Sequence, residues 1–401
     1  MSVKNILFAS DFANINGGQA KVAIEGARLL ADVGKKILFF AASGEPDPLL
    51  DHPNIDVEIL GHADILAEPS RIKAVTRGIW NGAAQRRLAE LAAKFDPGTS
   101  LLHCHGYAKA LSPAIGPVLT DGPLRAVYTM HEYFLACPNG GFYDYQRNEI
   151  CHRRALGPAC LTTNCDVRKP SHKAWRVARQ AATWSAGRIP RKLSDVIYIS
   201  ETQRRAMAPY LSPATRLHHV PNPVNVDGLS TVDAASNSVF LFVGRLNPEK
   251  GGLAFARAAR AAGAEAVFVG DGAEADAIRV ANPEATITGW QTPQQVNSWL
   301  DKARALVFPS LWYEGQPLVP MEAICRGVPV VTNSWNAGAE FVEDGVSGTI
   351  YHDQAPAALE AALAKVRQLD NFDPQPYREL VSPEKHRDRL IALYANLLGD
   401  K

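Results

Sequence analysis

The sequence predicts an α/β protein of two domains, each built on a parallel sheet. Three observations predict it. Short, continuous apolar runs, the pattern of strands buried on both faces, alternate with stretches of helical periodicity. The cycle stops at Val220-Pro221-Asn222-Pro223-Val224-Asn225, where two prolines bracket an asparagine, and restarts at Ser238. A length of 401 residues also exceeds what one small core organises.

The elements follow in order. Asn5–Ala9 reads as a strand; the chain turns polar at Ser10-Asp11, which marks a buried strand rather than a signal peptide. Gly17-Gly18 precedes a helix over Ala20–Val33. Lys36–Ala41, Ser100–His103, Arg125–Thr129 and Val196–Ile199 are further strands of a first Rossmann-like half. The second half uses Ser238–Arg245, Ala266–Gly270, Ala285–Thr288, Ala305–Phe308 and Val328–Thr332, with a helix over about Leu318–Cys325. Ser382 is a good N-cap, Pro383 suits the first helical position and Glu384 the positive end of the dipole. Leu390, Leu393, Tyr394 and Leu397 make the apolar stripe of that helix. The expected domains are 1–221, with a cysteine-rich insertion at about 137–166, then 222–378, and a helix over 379–401.

Composition narrows the function classes. A net charge of +1 gives no global steering toward nucleic acid. No apolar run approaches the ~18–20 residues of a membrane span. A cytoplasmic protein is expected, with its six cysteines reduced or metal-bound.

Chemistry concentrates where strands exit. Glu314 falls on the loop after Ala305–Phe308, and Glu322 falls inside the next helix. Ligands of open α/β sheets bind at that edge. A carboxylate there offers paired acceptors to vicinal hydroxyls of a ribose or sugar, and the helix start offers an anion site. Gly17-Gly18 lets backbone amides approach an anion, or simply makes a tight turn. In Gly244-Arg245-Leu246-Asn247-Pro248-Glu249-Lys250-Gly251, Arg245 and Lys250 can reach one diphosphate, or can be ordinary surface cations. Val269-Gly270-Asp271-Gly272 and Thr288-Gly289-Trp290 exit on the same edge, where a base can be read by backbone groups or glycines merely turn. His103 reads as a packed strand residue. His105 and His131 stand on loops, and His131 is the functional candidate.

Together these residues resemble glycosyltransferase family 4, retaining enzymes of the GT-B architecture, over nearly the whole chain. The most specific part runs from Phe308-Pro309-Ser310 through Glu314 and Glu322 to Arg326-Gly327-Val328-Pro329-Val330-Val331. The resemblance implies two Rossmann-like domains facing a central cleft, with the helix from about Ser382 crossing back to the N-terminal domain. It implies that Glu322 binds the donor ribose and that Glu314 lies against the donor sugar. It further implies that Arg245 and Lys250 hold the diphosphate, that Gly17-Gly18 faces the phosphates, and that His131 sits near the reacting centre. One departure stands out: the family usually has Glu-Gly-Phe-Gly-Leu, whereas this chain has Glu314-Gly315-Gln316-Pro317-Leu318. Pro317 removes a backbone donor, so donor contact rests on the amides of Leu318 and Val319, with Gln316 carrying the sugar preference.

The implied reaction moves a sugar from a nucleotide-diphosphate donor to a glycan or lipid-linked saccharide acceptor, in surface polysaccharide or glycolipid assembly. Catalysis is assigned to His131, Glu314, Arg245 and Lys250. Without an Asp-x-Asp pair in a matching loop, no catalytic metal is expected. A sugar-nucleotide epimerase, a phosphorylase and a non-catalytic nucleotide-sugar-binding protein are the alternatives.

Two features stand outside this scheme. Cys137, Cys151, Cys160 and Cys165 admit a structural zinc site, disulfides or free thiols. Residues 167–194 hold eight Lys and Arg with no Asp or Glu, interleaved with Trp175 and Trp184. That stretch reads either as a solvated helix face or as a patch for an anionic membrane surface, which would make the protein peripheral on the cytoplasmic face of the cell membrane.

Overall fold

The computed structural model describes residues 3–399 as two compact units. Of the described residues, the first comprises 3–141, 152–223 and 383–399, and the second 142–151 and 224–382.

In the first unit the strands are β1 (Asn5–Phe12), β2 (Lys36–Ser43), β3 (Ile55–Ile59), β4 (Ser100–Cys104) and β5 (Arg125–Thr129). A hairpin of β6 (Tyr143–Asp144) and β7 (Glu149–Ile150) groups with the second unit, so the insertion expected at about 137–166 is divided. β8 (Asp195–Tyr198) and β9 (Arg216–His219) complete the first sheet, an all-parallel array ordered β3-β2-β1-β4-β5-β8-β9. The second unit holds β10 (Val239–Val243), β11 (Ala266–Val269), β12 (Thr286–Ile287), β13 (Ala303–Phe308), β14 (Val330–Asn333) and β15 (Gly348–Tyr351). Its parallel order is β12-β11-β10-β13-β14-β15.

Both orders reverse direction once, between β1 and β4 and between β10 and β13. At such a reversal neighbouring loops leave in opposite directions and open a crevice at the carboxyl ends of the strands.

The cores follow from period-two burial. In β10, Phe240 and Phe242 join one apolar cluster, while Val239 and Leu241 join the cluster on the opposite face. Each fully buried Leu, Val or Phe contributes about 1.5–3 kcal/mol to burial free energy. The helix Pro383–Gly399 begins where its sequence signals place it. Its Leu390, Leu393, Tyr394, Leu397 and Leu398 enter the core of the first unit, so the helix crosses back to the N-terminal domain. Residues 379–382, expected with that helix, instead belong to the second unit, where Gln375–Val381 forms a separate short helix. No helix among the described residues is long and apolar enough to cross a membrane.

Candidate functional site

Each unit places its candidate residues at its own sheet reversal. In the second unit, Gly244, with φ of 152°, releases the chain from β10, and Arg245 follows, exposed and, among the described residues, without an ion-pair partner. Gly270, with φ of 144°, leaves β11 so close that a Cβ would lie 1.9 Å from the Gly244 carbonyl oxygen. A Cβ on Gly251 would lie 2.3 Å from the Pro309 oxygen. The glycines are therefore required for the close approach of three loops.

The loop after β13 carries Glu314 on a left-handed backbone, φ 53°, sparsely populated for a residue with a side chain. Two asparagines buttress the loop: Asn333 Nδ2 donates to the Ser310 carbonyl at 2.8 Å and Asn336 Nδ2 to the same oxygen at 3.4 Å. Lys250 Nζ donates to Glu314 Oε1 at 2.6 Å, and Ser310 Oγ donates to that oxygen at 2.7 Å. The ammonium also lies 4.9 Å from the centroid of the Trp312 ring, and Tyr143 of the hairpin packs edge-on against that indole. Burial pushes the Glu314 carboxyl upward, but the Lys250 charge and the hydrogen bonds more than offset it, so the net shift is downward. Glu314 is thus an ionised acceptor that orients Lys250.

The helix Leu318–Cys325 begins behind this loop with Pro317 as N-cap and no side-chain cap. Pro320 has no amide proton either, so in the first three helical positions only Leu318 and Val319 can donate. Glu322 stands one turn after Leu318 on the same face, half-buried. Gln316 is buried. Gly289 pairs with Gly270 in an isolated bridge, and Trp290 is 68 % exposed beside it.

In the first unit, the helix Gly18–Asp32 starts after β1 with Gly17 as its N-cap and no capping side chain. A Cβ on Gly17 would meet no atom within 4 Å, so the turn into this helix is uncrowded on that side. Sequence reasoning missed Asp11, whose position at the end of a buried strand is the available signal. Its buried carboxylate accepts the amides of Lys109, Ala110 and Leu111 at 3.0, 2.8 and 2.8 Å and fixes the loop after β4.

The histidines form a buried group. His103 is clamped between Tyr394 Oη at 2.6 Å and Thr129 Oγ1 at 2.7 Å, as a packed strand residue. His105 is buried as well, and its Nδ1 meets His131 Nε2 at 3.0 Å. Burial, and then the neighbouring His386, pulls His131 down to about 3, and burial holds His105 well below the ordinary range. Both rings are neutral near pH 7, so one imidazole N–H is shared between them. His105, which lacks exposure, serves to set the ring of His131.

The cysteines and the basic stretch both lie partly in the interior. All six cysteines are free thiols. Cys137, Cys160 and Cys165 gather in the first unit around Lys173, whose Nζ donates to Cys165 Sγ at 3.1 Å and Cys160 Sγ at 3.6 Å. Cys151 belongs to the second unit. A tetrathiolate does not fit these positions: an ammonium already holds the thiols, and no three His, Cys, Asp or Glu among the described residues are placed to share a metal ion. In the helix Pro170–Trp184, Lys173 and Arg179 are buried and the Trp175 and Trp184 indoles donate to the carbonyls of Val75 and Leu135. Part of the stretch is therefore interior structure rather than an open basic face.

Comparison with known proteins accords with this geometry. A model of the glycosyl transferases group 1 matches residues 237–368, and one of glycosyltransferase family 4 matches residues 16–227. The lipopolysaccharide 1,2-N-acetylglucosaminetransferase of Salmonella typhimurium is 26% identical over 172 residues, 38% of this chain and 42% of that protein. The match thus spans less than half of that relative. Sucrose-phosphate synthase from Thermosynechococcus elongatus superposes with a TM-score of 0.64 at 18% identity, covering 98% of this chain and 96% of that one. Anabaena Alr3699/HepE, solved in complex with UDP, superposes with a TM-score of 0.62 at 16% identity, covering 98% and 100%. These likenesses establish the GT-B fold of two Rossmann-like domains. With a family model spanning more than half of its residues, and loops shaped at both sheet reversals, the chain belongs to glycosyltransferase family 4.

Proposed function

We propose that this glycosyltransferase takes a sugar from a nucleotide-diphosphate donor and delivers it, with retention, to a glycan or lipid-linked saccharide in surface polysaccharide or glycolipid assembly. The observation that carries this reading is the Lys250–Glu314 pair at the reversal between β10 and β13, beside the unpaired Arg245 and two free helix amides. The UDP bound by Anabaena HepE and the lipopolysaccharide acceptor of the Salmonella relative support the donor class and the setting.

The difficult event is departure of the nucleotide diphosphate from the anomeric carbon. Arg245 and Lys250 are assigned to the charge that grows on the leaving phosphate, Lys250 as a cation already oriented by Glu314. The amides of Leu318 and Val319 add a second pair of donors to the same group. Glu322 takes the ribose hydroxyls, and Glu314 and Gln316 the transferred sugar. Gly289 and Trp290 are assigned to the base. Gly17 and Gly18 remain candidates for the phosphates and His131 for the reacting centre. As the carbon–phosphate oxygen bond breaks, the acceptor oxygen attacks the same face, and its proton passes to the departing phosphate oxygen. This route asks nothing of a divalent ion, and EDTA is expected to leave the rate unchanged.

The test is a thermal-shift and calorimetric screen against UDP-, GDP- and dTDP-sugars, followed by donor hydrolysis without acceptor. Binding of one donor with slow release of its nucleotide is expected. Binding without any turnover would leave a non-catalytic nucleotide-sugar-binding protein.

A further inference from the structure

The first unit holds a cavity of about 430 Å³ beside the helices Arg71–Ile79 and Pro170–Trp184. Its charge is one-sided: Arg71, Lys109, Arg168, Arg176 and Arg179 line it, and no carboxylate does. Three of these cations are held. Arg179 is 3% exposed, donates to the Ala108 carbonyl at 2.9 Å, and lies over the rings of Phe134 and Trp175 at 4.6 and 5.1 Å. Arg176 pairs with Asp166 at 2.8 Å, and Lys109 with Glu132 at 3.8 Å. Arg71 and Arg168 are exposed and, among the described residues, have no ion-pair partner.

Apart from Ser171 and His172, the remaining lining is apolar. Trp175 forms a wall close against Gly78, where a Cβ would lie 2.6 Å from the indole. Leu66 and Val75 line the cavity while 60% and 47% exposed, and Ile72 beside Arg71 is 78% exposed. Large apolar side chains left in water at one place mark a binding surface. A bare sugar is recognised by acceptors as well as donors, and against five cations the lining supplies only Ser171 and His172, with no Asp, Glu, Asn or Gln. A bare anion gains nothing from Leu66, Val75 and Trp175. The ligand that uses both halves is an apolar chain ending in phosphate, since guanidinium forks match phosphate oxygens.

We infer that this cavity receives the phosphate end of a lipid-linked acceptor, with the diphosphate against Arg71 and Arg168 and the adjoining hydrocarbon against Leu66, Val75 and Trp175. The word acceptor rests on the transferase reading above; the binding chemistry does not.

The test uses the full chain with farnesyl diphosphate as probe, followed by calorimetry, against inorganic pyrophosphate and farnesol. Saturable binding of farnesyl diphosphate is expected, at least tenfold tighter than either comparator. The double variant Arg71→Gln/Arg168→Gln and, separately, Leu66→Ser/Val75→Ser are expected to weaken it at least tenfold while keeping the thermal midpoint, because all four positions are exposed. Equal binding of pyrophosphate, or unchanged binding by both variants, would overturn the inference. So would sedimentation with phosphatidylglycerol vesicles that the variants abolish while farnesyl diphosphate fails to bind; that result would make the surface a membrane contact. Nucleotide-sugar binding is measured on the same samples. Its failure beside intact farnesyl diphosphate binding sinks the transferase reading alone, and the converse sinks this inference alone.

Discussion

At the scale of single residues, the two glutamates of the second unit do different work. Glu314 is 11% exposed and paired, so removing its partner leaves a buried, uncompensated charge. Lys250→Met is expected to lower turnover about 10²–10³-fold, the loss typical of one preorganised group, and to lower the thermal midpoint. Glu322 stands half-buried in the helix that follows the Glu314 loop. Glu322→Ala is expected to weaken donor binding roughly tenfold, which calorimetry reads directly, with turnover at saturation little changed. Equal donor affinity in wild type and variant would remove the ribose assignment. The buried histidines set a pH dependence. His103 and His105 lie well below the ordinary histidine range and His386 at about 4, each through burial first. The unfolded chain therefore takes up protons first as the pH falls. Stability is full above about pH 6.5 and is lost below it, at up to ~1.4 kcal/mol per pH unit per histidine. Urea midpoints at pH 7.5, 6.0 and 5.0 are expected to fall in that order, ahead of the carboxylate range.

At the scale of elements, the loops at the second sheet reversal are packed backbone to backbone. Gly270→Ala would drive a methyl group into the Gly244 carbonyl and force an unfavourable φ. A cost of about 1–3 kcal/mol is expected, with a larger loss of donor affinity than stability alone explains, because Arg245 is attached to the displaced loop. The elements also show what the sequence could and could not reveal. Interior strands such as Arg125–Thr129 and Ala303–Phe308 are legible because burial on both faces demands apolar runs, here Ala126-Val127-Tyr128 and Ala305-Leu306-Val307-Phe308. In the two parallel sheets the strands that escaped notice are β3, β9 and β15, and all three lie at sheet edges, where one flank is free and the apolar run is broken. The helix Leu318–Cys325 was legible from its apolar residues, but the silent amide of Pro320 matters only once the helix start is known. The lysine among the thiols was not legible, since Lys173 looks like one more member of a basic run until its burial is seen.

At the scale of the whole molecule, the Glu314–Glu322 spacing and the Arg245–Lys250 loop were readable because they are local in sequence. The histidine group was only half readable: His103 and His105 stand together, but Tyr394 reaches them from a helix 291 residues further along the chain. Tyr394→Phe removes the hydroxyl that satisfies His103 and is expected to cost about 1–3 kcal/mol, measured by denaturant unfolding. The same long reach has a consequence for biosynthesis. The first unit closes its core with Leu390, Leu393, Tyr394 and Leu397, so residues 1–223 emerge from the ribosome unable to complete it. At about 5–20 residues per second, the 178 residues from 224 to 401 take roughly 9–36 s to synthesise. For that interval the nascent chain exposes the groove that Pro383–Gly399 will fill. A folding helper that holds apolar surface would find its substrate there, and a ribosome stalled before Pro383 would hold a transferase that cannot finish its first domain.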